Sequence, residues 1–433
     1  MMILVVIGIV IATTTSTTTT TTTPTTATTT TINNITMTVY DFTSTPNPFF
    51  CEGKWIGDGI CDDETNLIKC GFDDGDCCLS EIVDTNCYEC VCHIDGKRHQ
   101  MTTTAPMLTT TIPFTPISVS KLLILTGTPK DEPENIEVVD LQNPLNSCNL
   151  PEKFPIRLNF AVGGLTKDGP LLCGGYDRDN KTALNTCFTL NNSKIIEIAV
   201  KLQTERYSAS AIVLPDGELW IHGGLNRKKK LSSSEIISLQ GSKNGMVMET
   251  TIARHCSTMI NSTTAFVTGG NTGFFSYQTY FVDIINWTWT KGPHLEEARA
   301  DHGCAVFMHN GQNYAIVAGG LIGVKNDDFL SSTEILDLNN EILEWTKGPE
   351  LPVKMDNFPL LSTSIGIIAV GGYDRTNNRN KNELLNLKCK DGKDVSECKW
   401  EESQKKLNMP RSRHVVIPLQ ASCEICNDTL YEF

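Results

Sequence analysis

Residues 315–320 read AIVAGG, and five further stretches repeat the pattern: LLILTG at 122–127, PLLCGG at 170–175, LWIHGG at 219–224, AFVTGG at 265–270 and IIAVGG at 367–372. Each is a short apolar, strand-like run closed by a glycine pair, the first being degenerate as Thr126-Gly127. Successive pairs lie 48, 49, 46, 50 and 52 residues apart. A period of this length, with one glycine pair per unit, points to stacked four-stranded sheets.

The remaining strands of each unit follow the pair. After Gly319-Gly320 come a polar loop, the run STEILDL, a turn at Asn339-Asn340 and ILEWTKGPEL. After Gly269-Gly270 come TYFVDI, a turn near Asn286 and WTWTKGPHL. A charged pivot opens the next unit, as in Arg299 to His302 and Arg411 to His414. A glycine pair, a later Trp, a Gly-Pro turn and an Arg-x-x-His start resemble the kelch repeat over residues 118–420. The Trp is present in the last three units (Trp287 or Trp289, Trp345, Trp400) and lacking in the first three.

The pattern has a packing logic. A glycine pair suits a strand end crowded by a neighbouring sheet, where no Cβ fits and unusual φ values are needed. The Trp supplies apolar area between units. The first unit opens at its glycine-bearing strand with no innermost strand ahead of it, while the chain ends its repeats with an unpartnered HVVIPL at 414–419. The expected fold is therefore all-β, a six-bladed kelch-like β-propeller closed by the C-terminal strand, which leaves no open edges. A tail follows at 421–433.

The N-terminal third sets the compartment. Residues 1–12, MMILVVIGIVIA, form an apolar run of signal-peptide length, too short to span a bilayer. Sixteen threonines fill residues 13–31. The stretch 13–48 reads as a mucin-like, disordered spacer, and 101–117 as a second Thr/Pro linker. The chain holds 17 cysteines, eight of them between 51 and 92, which suits an oxidising compartment. Asn-x-Ser/Thr acceptors stand at Asn34, Asn180, Asn191, Asn261, Asn286 and Asn427. Those inside the repeats all map to expected turns. The localisation expected is secreted and extracellular.

Between the spacers, residues 49–100 form a cysteine-rich module that opens as Cys51-EGKWIGDGI-Cys61-DDETNLIK-Cys70-GFDDGD-Cys77. So little apolar content calls for covalent or metal staples. Seven carboxylates between Asp58 and Asp76 would repel one another unless a hard cation neutralised them, and Ca2+ takes oxygen ligands of this kind. The spacing resembles the Lin-12/Notch repeat. That resemblance implies calcium ligation by Asp58, Asp73 and Asp76 and disulfides Cys51–Cys70 and Cys61–Cys77. Two of the six cysteines usual in that family are missing, Thr65 standing at one vacated position. Cys78, Cys87, Cys90 and Cys92 with His93 read as zinc ligands or as further disulfides, the latter fitting a secreted chain. Within the repeats, Cys389 and Cys398 flank a charged turn and are expected to staple an outer hairpin. Cys423 and Cys426 suit a local disulfide, and Cys173, inside an apolar strand, is the candidate free thiol.

No catalytic set known for propeller enzymes is legible. His255, His302 and His414 all open an innermost strand, which points to a repeated structural hydrogen bond. A net charge of −14 argues against general nucleic-acid binding. Strand order puts Asn191, Asn261 and Asn286 on one face and Asn180 on the other. That second face gathers Arg178, Arg227, Lys228, Lys229, Lys230, Arg375 and Arg379, with the strand-opening Arg206, Arg254, Arg299 and Arg411. The reading is a non-enzymatic recognition protein whose basic face binds an extracellular protein or an acidic or sulfated glycan. A mucin-like matrix or surface-coat component and a propeller oxidoreductase or hydrolase are the alternatives.

Overall fold

Every apolar run that precedes a glycine pair becomes the second strand of a four-stranded antiparallel sheet. The computed structural model describes residues 17–22, 25–32, 35–40, 91–94 and 97–100, and from 119 to 420 all but 128, 130–133, 144–146, 192, 324–327 and 364. The chain divides into two units, 1–103 and 104–433.

In the first unit, Thr17–Thr22, Thr25–Ile32 and Ile35–Tyr40 form an antiparallel meander, and Val91–Ile94 pairs with Lys97–Gln100. The tract read as a structureless spacer thus differs from expectation. Threonine is β-branched and favours the extended region, so a threonine run with a few apolar residues pairs with itself. The calcium ligands Asp58, Asp73 and Asp76, the cysteines Cys51, Cys61, Cys70 and Cys77, and the acceptors Asn34 and Asn427 lie outside the described residues.

In the second unit, four sheets run in plain chain order: the second from Val162–Thr166 to Lys194–Lys201, the third from Ser210–Val213 to Gly241–Asn244, the fourth from Cys256–Met259 to Thr288–Lys291, and the fifth from Gly303–His309 to Trp345–Lys347. The sixth is Leu360–Thr363, Gly366–Val370, Arg379–Lys388 and Lys399–Arg411, extended along Arg379–Lys388 by the short strands Tyr373–Asp374 and Met355–Asp356. The first is completed from the far end of the chain, where Val415–Gln420 pairs Val119–Leu125 with Ile417 opposite Leu123. Among the described residues there is no α-helix, only a short 3-10 turn at Val395–Glu397.

The cores lie between sheets rather than within them. Leu123, Ile136, Leu172 and Phe188 join the first sheet to the second. Phe266, Phe281, Val317 and Leu336 join the fourth to the fifth. Leu122, Ile124, Val370 and Leu384 join the sixth back to the first. Each of the six cores joins consecutive sheets in this way. Trp345 and Trp400 bridge outward from their own sheets, their Nε1–H groups donating to the carbonyls of Pro293 and Pro349 at 3.1 and 3.0 Å.

The glycine pairs have a specific task. Gly320 N–H donates to Met355 O at 2.9 Å, and a Cβ on Gly319 would sit 2.5 Å from that same carbonyl. The same relation joins Gly223-Gly224 to Ile252, and Gly269-Gly270 to Arg299. The first glycine is left-handed in each, near φ +60 (+61, +63 and +59). In the first of the six sheets Gly127 N–H donates to Leu158 O at 3.2 Å, so Thr126 occupies the first-glycine position, at φ +64.

In the second unit, all seven described cysteines are disulfide-bonded. Cys389–Cys398 forms as expected. Cys173 is not free. It stands directly opposite Cys187 on the next strand, with Cα atoms 4.1 Å apart, and the two are bonded. Cys256–Cys304 ties the innermost strands of the fourth and fifth sheets together.

Candidate binding face

Each sheet is entered by a linker, and each linker pairs with the loop that follows a glycine pair. Asn159 pairs with Tyr176, Tyr207 with Leu225, Ala253 with Asn271, Ala300 with Leu321, and Asp356 with Tyr373. The linkers and the second-to-third-strand loops therefore share one face, as strand order implies.

At the centre of that face six residues, one per linker, take the left-handed conformation: Phe160, Ser208, Arg254, Asp301, Asn357 and Arg413. Their backbones form a closed circuit. Ser208 N–H donates to Phe160 O, Arg254 to Ser208, Asp301 to Arg254, Asn357 to Asp301, Arg413 to Asn357, and Phe160 to Arg413, at 2.8–3.1 Å. Each main-chain donor and acceptor is used on its neighbour, so only the six side chains vary around the ring. They surround a depression of about 230 Å3. No sequence reading singled out these positions as a set. The available signal was their place directly ahead of the residue that opens each first strand, as Asp301 stands before His302.

The depression carries mixed charge. Arg254 lies 3.5 Å from Asp301, and the Arg413 guanidinium sits over the Phe160 ring at 5.2 Å. Burial pushes the Asp301 carboxyl up to about 6, against the pull of Arg254. The histidines behind the ring are buried. His255 Nε2 bonds His222 Nδ1 at 2.9 Å, and His302 Nε2 bonds Thr268 Oγ1 at 2.8 Å. Both partners directly precede a glycine pair, so the structural bond expected for these histidines is present. His414 has no such side-chain partner; its ring instead lies against the backbone of Val370, which also directly precedes a glycine pair. Burial holds His255 and His414 down to about 3, and His222 and His302 well below the ordinary value. His222 also reaches Ser257 Oγ at 3.1 Å, which in turn bonds Ser210 Oγ at 2.6 Å.

Of the four arginines that open strands, Arg254 lines the depression, and the other three do not contribute to this surface. Arg206, Arg299 and Arg411 are fully buried, each bonded to a glutamate of the sheet it enters: Glu235 at 2.7 Å, Glu334 at 2.6 Å and Glu137 at 2.7 Å. Arg206 and Arg299 also donate to the carbonyls of Gly223 and Gly319, and Arg411 to that of Thr126. A basic face built on these three is corrected by their burial.

The other expected contact residues fall into two groups. Arg178 lies 3.6 Å from Glu134, Arg375 binds Asp356 through Nε and Nη2 at 3.0 and 2.7 Å, and Arg379 binds Glu383 at 3.0 Å. Arg227, Lys228, Lys229 and Lys230 instead form a projecting hairpin, in which Leu225–Asn226 pairs Lys229–Lys230 and both tip residues are left-handed. Arg227, Lys228 and Lys229 are exposed. The hairpin stands next to the ring, since Tyr207 pairs with Leu225. The acceptors separate as expected: Asn180 lies in a loop of this face, whereas Asn191, Asn261 and Asn286 lie at the opposite turns.

No family model matches the chain, and no curated protein does. Among solved structures, one titled "Structure of YjhT" aligns with 63% of this chain and 96% of its own length, at 12% identity and a TM-score of 0.50. At that identity the likeness is one of fold alone.

Proposed function

We propose that this chain is a secreted, calcium-binding, non-enzymatic recognition protein. In this reading its six sheets are the blades of a kelch-like β-propeller closed by the C-terminal strand, and the face around the left-handed ring meets the partner. The partner is polyanionic, an acidic protein segment or a sulfated glycan. The observation that carries the reading is the Arg227–Lys230 hairpin. Arg178, Arg254, Arg375 and Arg379 are each met by a carboxylate, while this hairpin holds exposed cations on a fixed tip beside the ring, where they attract an anion over a Debye length of about 8–10 Å. The Lin-12/Notch-like module at 49–100 holds its calcium through Asp58, Asp73 and Asp76.

The test is binding of the secreted chain to arrays of extracellular proteins and of glycans, with calcium and with chelator. Saturable binding that weakens with salt and is abolished by Lys228→Glu/Lys229→Glu/Lys230→Glu supports the reading. Undiminished binding by that variant sinks it. The class of array that responds separates protein from glycan, and loss under chelator assigns the calcium module a part in the contact.

One observation favours a hydrolase as second reading: Ser257, His222 and His255 form a hydrogen-bonded series. A base whose pKa burial has pushed well below its ordinary range is a weak proton acceptor, which speaks for a structural role. Labelling of Ser257 by a serine-directed phosphonate would decide for the enzyme.

A further inference from the structure

On the far side from the ring, the turns of the third and fourth sheets enclose a second depression of about 620 Å3. Its lining is largely apolar, with Leu214, Ile236, Ile285 and Trp287, and includes the polar Lys243 and Ser262. Ile285 is 65% exposed. Trp287 is held at φ +53, a conformation that bulky side chains avoid, with its ring edge-on to buried Trp220 at 5.2 Å. An apolar wall is thus fixed in place and left open to solvent, at a size suited to a small ligand.

Between Ile285 and Trp287 stands Asn286, exposed at the turn and the first residue of an Asn-Trp-Thr acceptor. Its Nδ2 donates to Asp283 Oδ2 at 2.9 Å. Glycosylation joins Nδ2 to the anomeric carbon of a sugar carried on a lipid diphosphate. The diphosphate departs and one amide proton is lost, while the remaining N–H can keep its bond to Asp283. The sugar is then tethered between two residues that line the depression. We propose that the N-linked glycan of Asn286 seats its first N-acetylglucosamine in this depression, with an apolar sugar face over Trp287 and Ile285. Lys243 and Ser262 then face its hydroxyl and acetamide groups. This inference rests on the extracellular reading. Asn261, adjacent to Ser262, carries the rival glycan.

The experiment uses the full chain secreted from a glycosylating host. Peptide mass spectrometry gives occupancy at Asn180, Asn191, Asn261 and Asn286. Thermal midpoint and acrylamide quenching of Trp fluorescence are then compared for intact protein, protein trimmed to one sugar, and Thr288→Ala, which carries no sugar at Asn286 yet keeps the amide that donates to Asp283. The single sugar is expected to keep midpoint and quenching at their intact values. Its absence in Thr288→Ala is expected to lower the midpoint by about 2–4 °C and raise quenching. Thr288→Ser, which preserves the acceptor, and Thr263→Ala, which removes the Asn261 acceptor but keeps the backbone bonds to Asn261 Oδ1, are expected to leave both unchanged. An unmodified Asn286 beside an occupied Asn191 overturns the proposal. So does an occupied Asn286 whose loss changes neither readout, or an effect that follows Asn261 instead. Sugar at none of the four positions overturns the extracellular reading along with it.

Discussion

The backbone N–H of Phe160 donates to the carbonyl of Arg413 at 3.0 Å, although most of the second unit lies between them in sequence. This is the bond that closes the circuit of six left-handed residues. The other five join each linker to the one before it, whereas this one joins the entry to the second sheet to the entry of the strand that completes the first. Two contacts make closure depend on the end of the repeats: the Phe160 bond and the pairing of Val415–Gln420 with Val119–Leu125.

Removal of that strand should therefore unfold the whole second unit rather than fray one sheet. Ile417 is fully buried in the core between the first and second sheets. Ile417→Ala should lower stability by about 2–5 kcal/mol. Truncation before Ser412 should abolish the cooperative transition. Urea denaturation followed by Trp fluorescence, whose second-unit reporters lie in the third to sixth sheets, distinguishes global from local loss.

Thr126 is the one β-branched residue at a first-glycine position. It is held at φ +64, and its hydroxyl is buried without a hydrogen-bond partner. Thr126→Gly restores the pair found in the other units and removes both penalties. It should raise stability by about 1–2 kcal/mol, read as a shift in the urea midpoint at unchanged slope. A lower midpoint would show that the threonine methyl contributes more packing than the left-handed backbone loses.

How much of this was legible in the sequence depends on whether a residue acts through its neighbours in the chain or through residues a sheet away. The six strand-glycine runs were legible because strand and turn are local. The closing strand was legible by counting. The burial of Arg206, Arg299 and Arg411 was not, because their glutamates lie a strand or more away, and for Arg411 near the start of the repeats. The Cys173–Cys187 bond was missed because a cysteine in an apolar strand looks the same whether or not another faces it. The ring was missed because its bonds are made by backbone, and its side chains share no type.

The buried arginines alternate. Arg411, Arg206 and Arg299 serve the first, third and fifth sheets, while Leu158, Ile252 and Met355 hold the same linker position at the second, fourth and sixth. The glutamate position changes in step, with Phe188, Tyr280 and Leu385 at the register points matching Glu137, Glu235 and Glu334. Glu334 also accepts the N–H groups of Glu296 and Glu297. Arg299→Met leaves a buried carboxylate without its cation and should cost about 3–5 kcal/mol. Arg299→Met with Glu334→Leu reproduces the Met355/Leu385 pair and should recover most of that loss. A double-mutant cycle in urea measures the coupling, and additive losses would refute it.

The three disulfides with both cysteines among the described residues should rank by the loop each closes. Cys256–Cys304 spans 48 residues, against 14 for Cys173–Cys187 and 9 for Cys389–Cys398. Chain entropy alone assigns about 4 kcal/mol to the first and about 3 kcal/mol to each of the others. Paired Cys→Ser variants should follow that order in urea midpoint.

Acid stability follows from the groups behind the ring. His222, His255, His302 and His414 are buried with lowered pKa values, those of His255 and His414 near 3 against 6.5 when exposed. Below pH 6.5 the unfolded chain takes up protons at these histidines that the folded chain does not. Each then removes about 1.4 kcal/mol of stability per pH unit as pH falls, down to its folded pKa. Asp301 acts in the opposite sense. Its folded pKa is raised to about 6 from 3.8, so the folded form binds the extra proton and gains stability as pH falls between those values. Asp301→Asn removes this opposing contribution. The variant should be more stable than the parent at pH 7, where a buried carboxylate charge is deleted, and should lose stability more steeply between pH 6 and 4. Thermal midpoints at pH 4, 5, 6 and 7 give both slopes. A parallel pair of curves would mean that Asp301 stays ionised throughout, held by Arg254 at 3.5 Å rather than neutralised by burial.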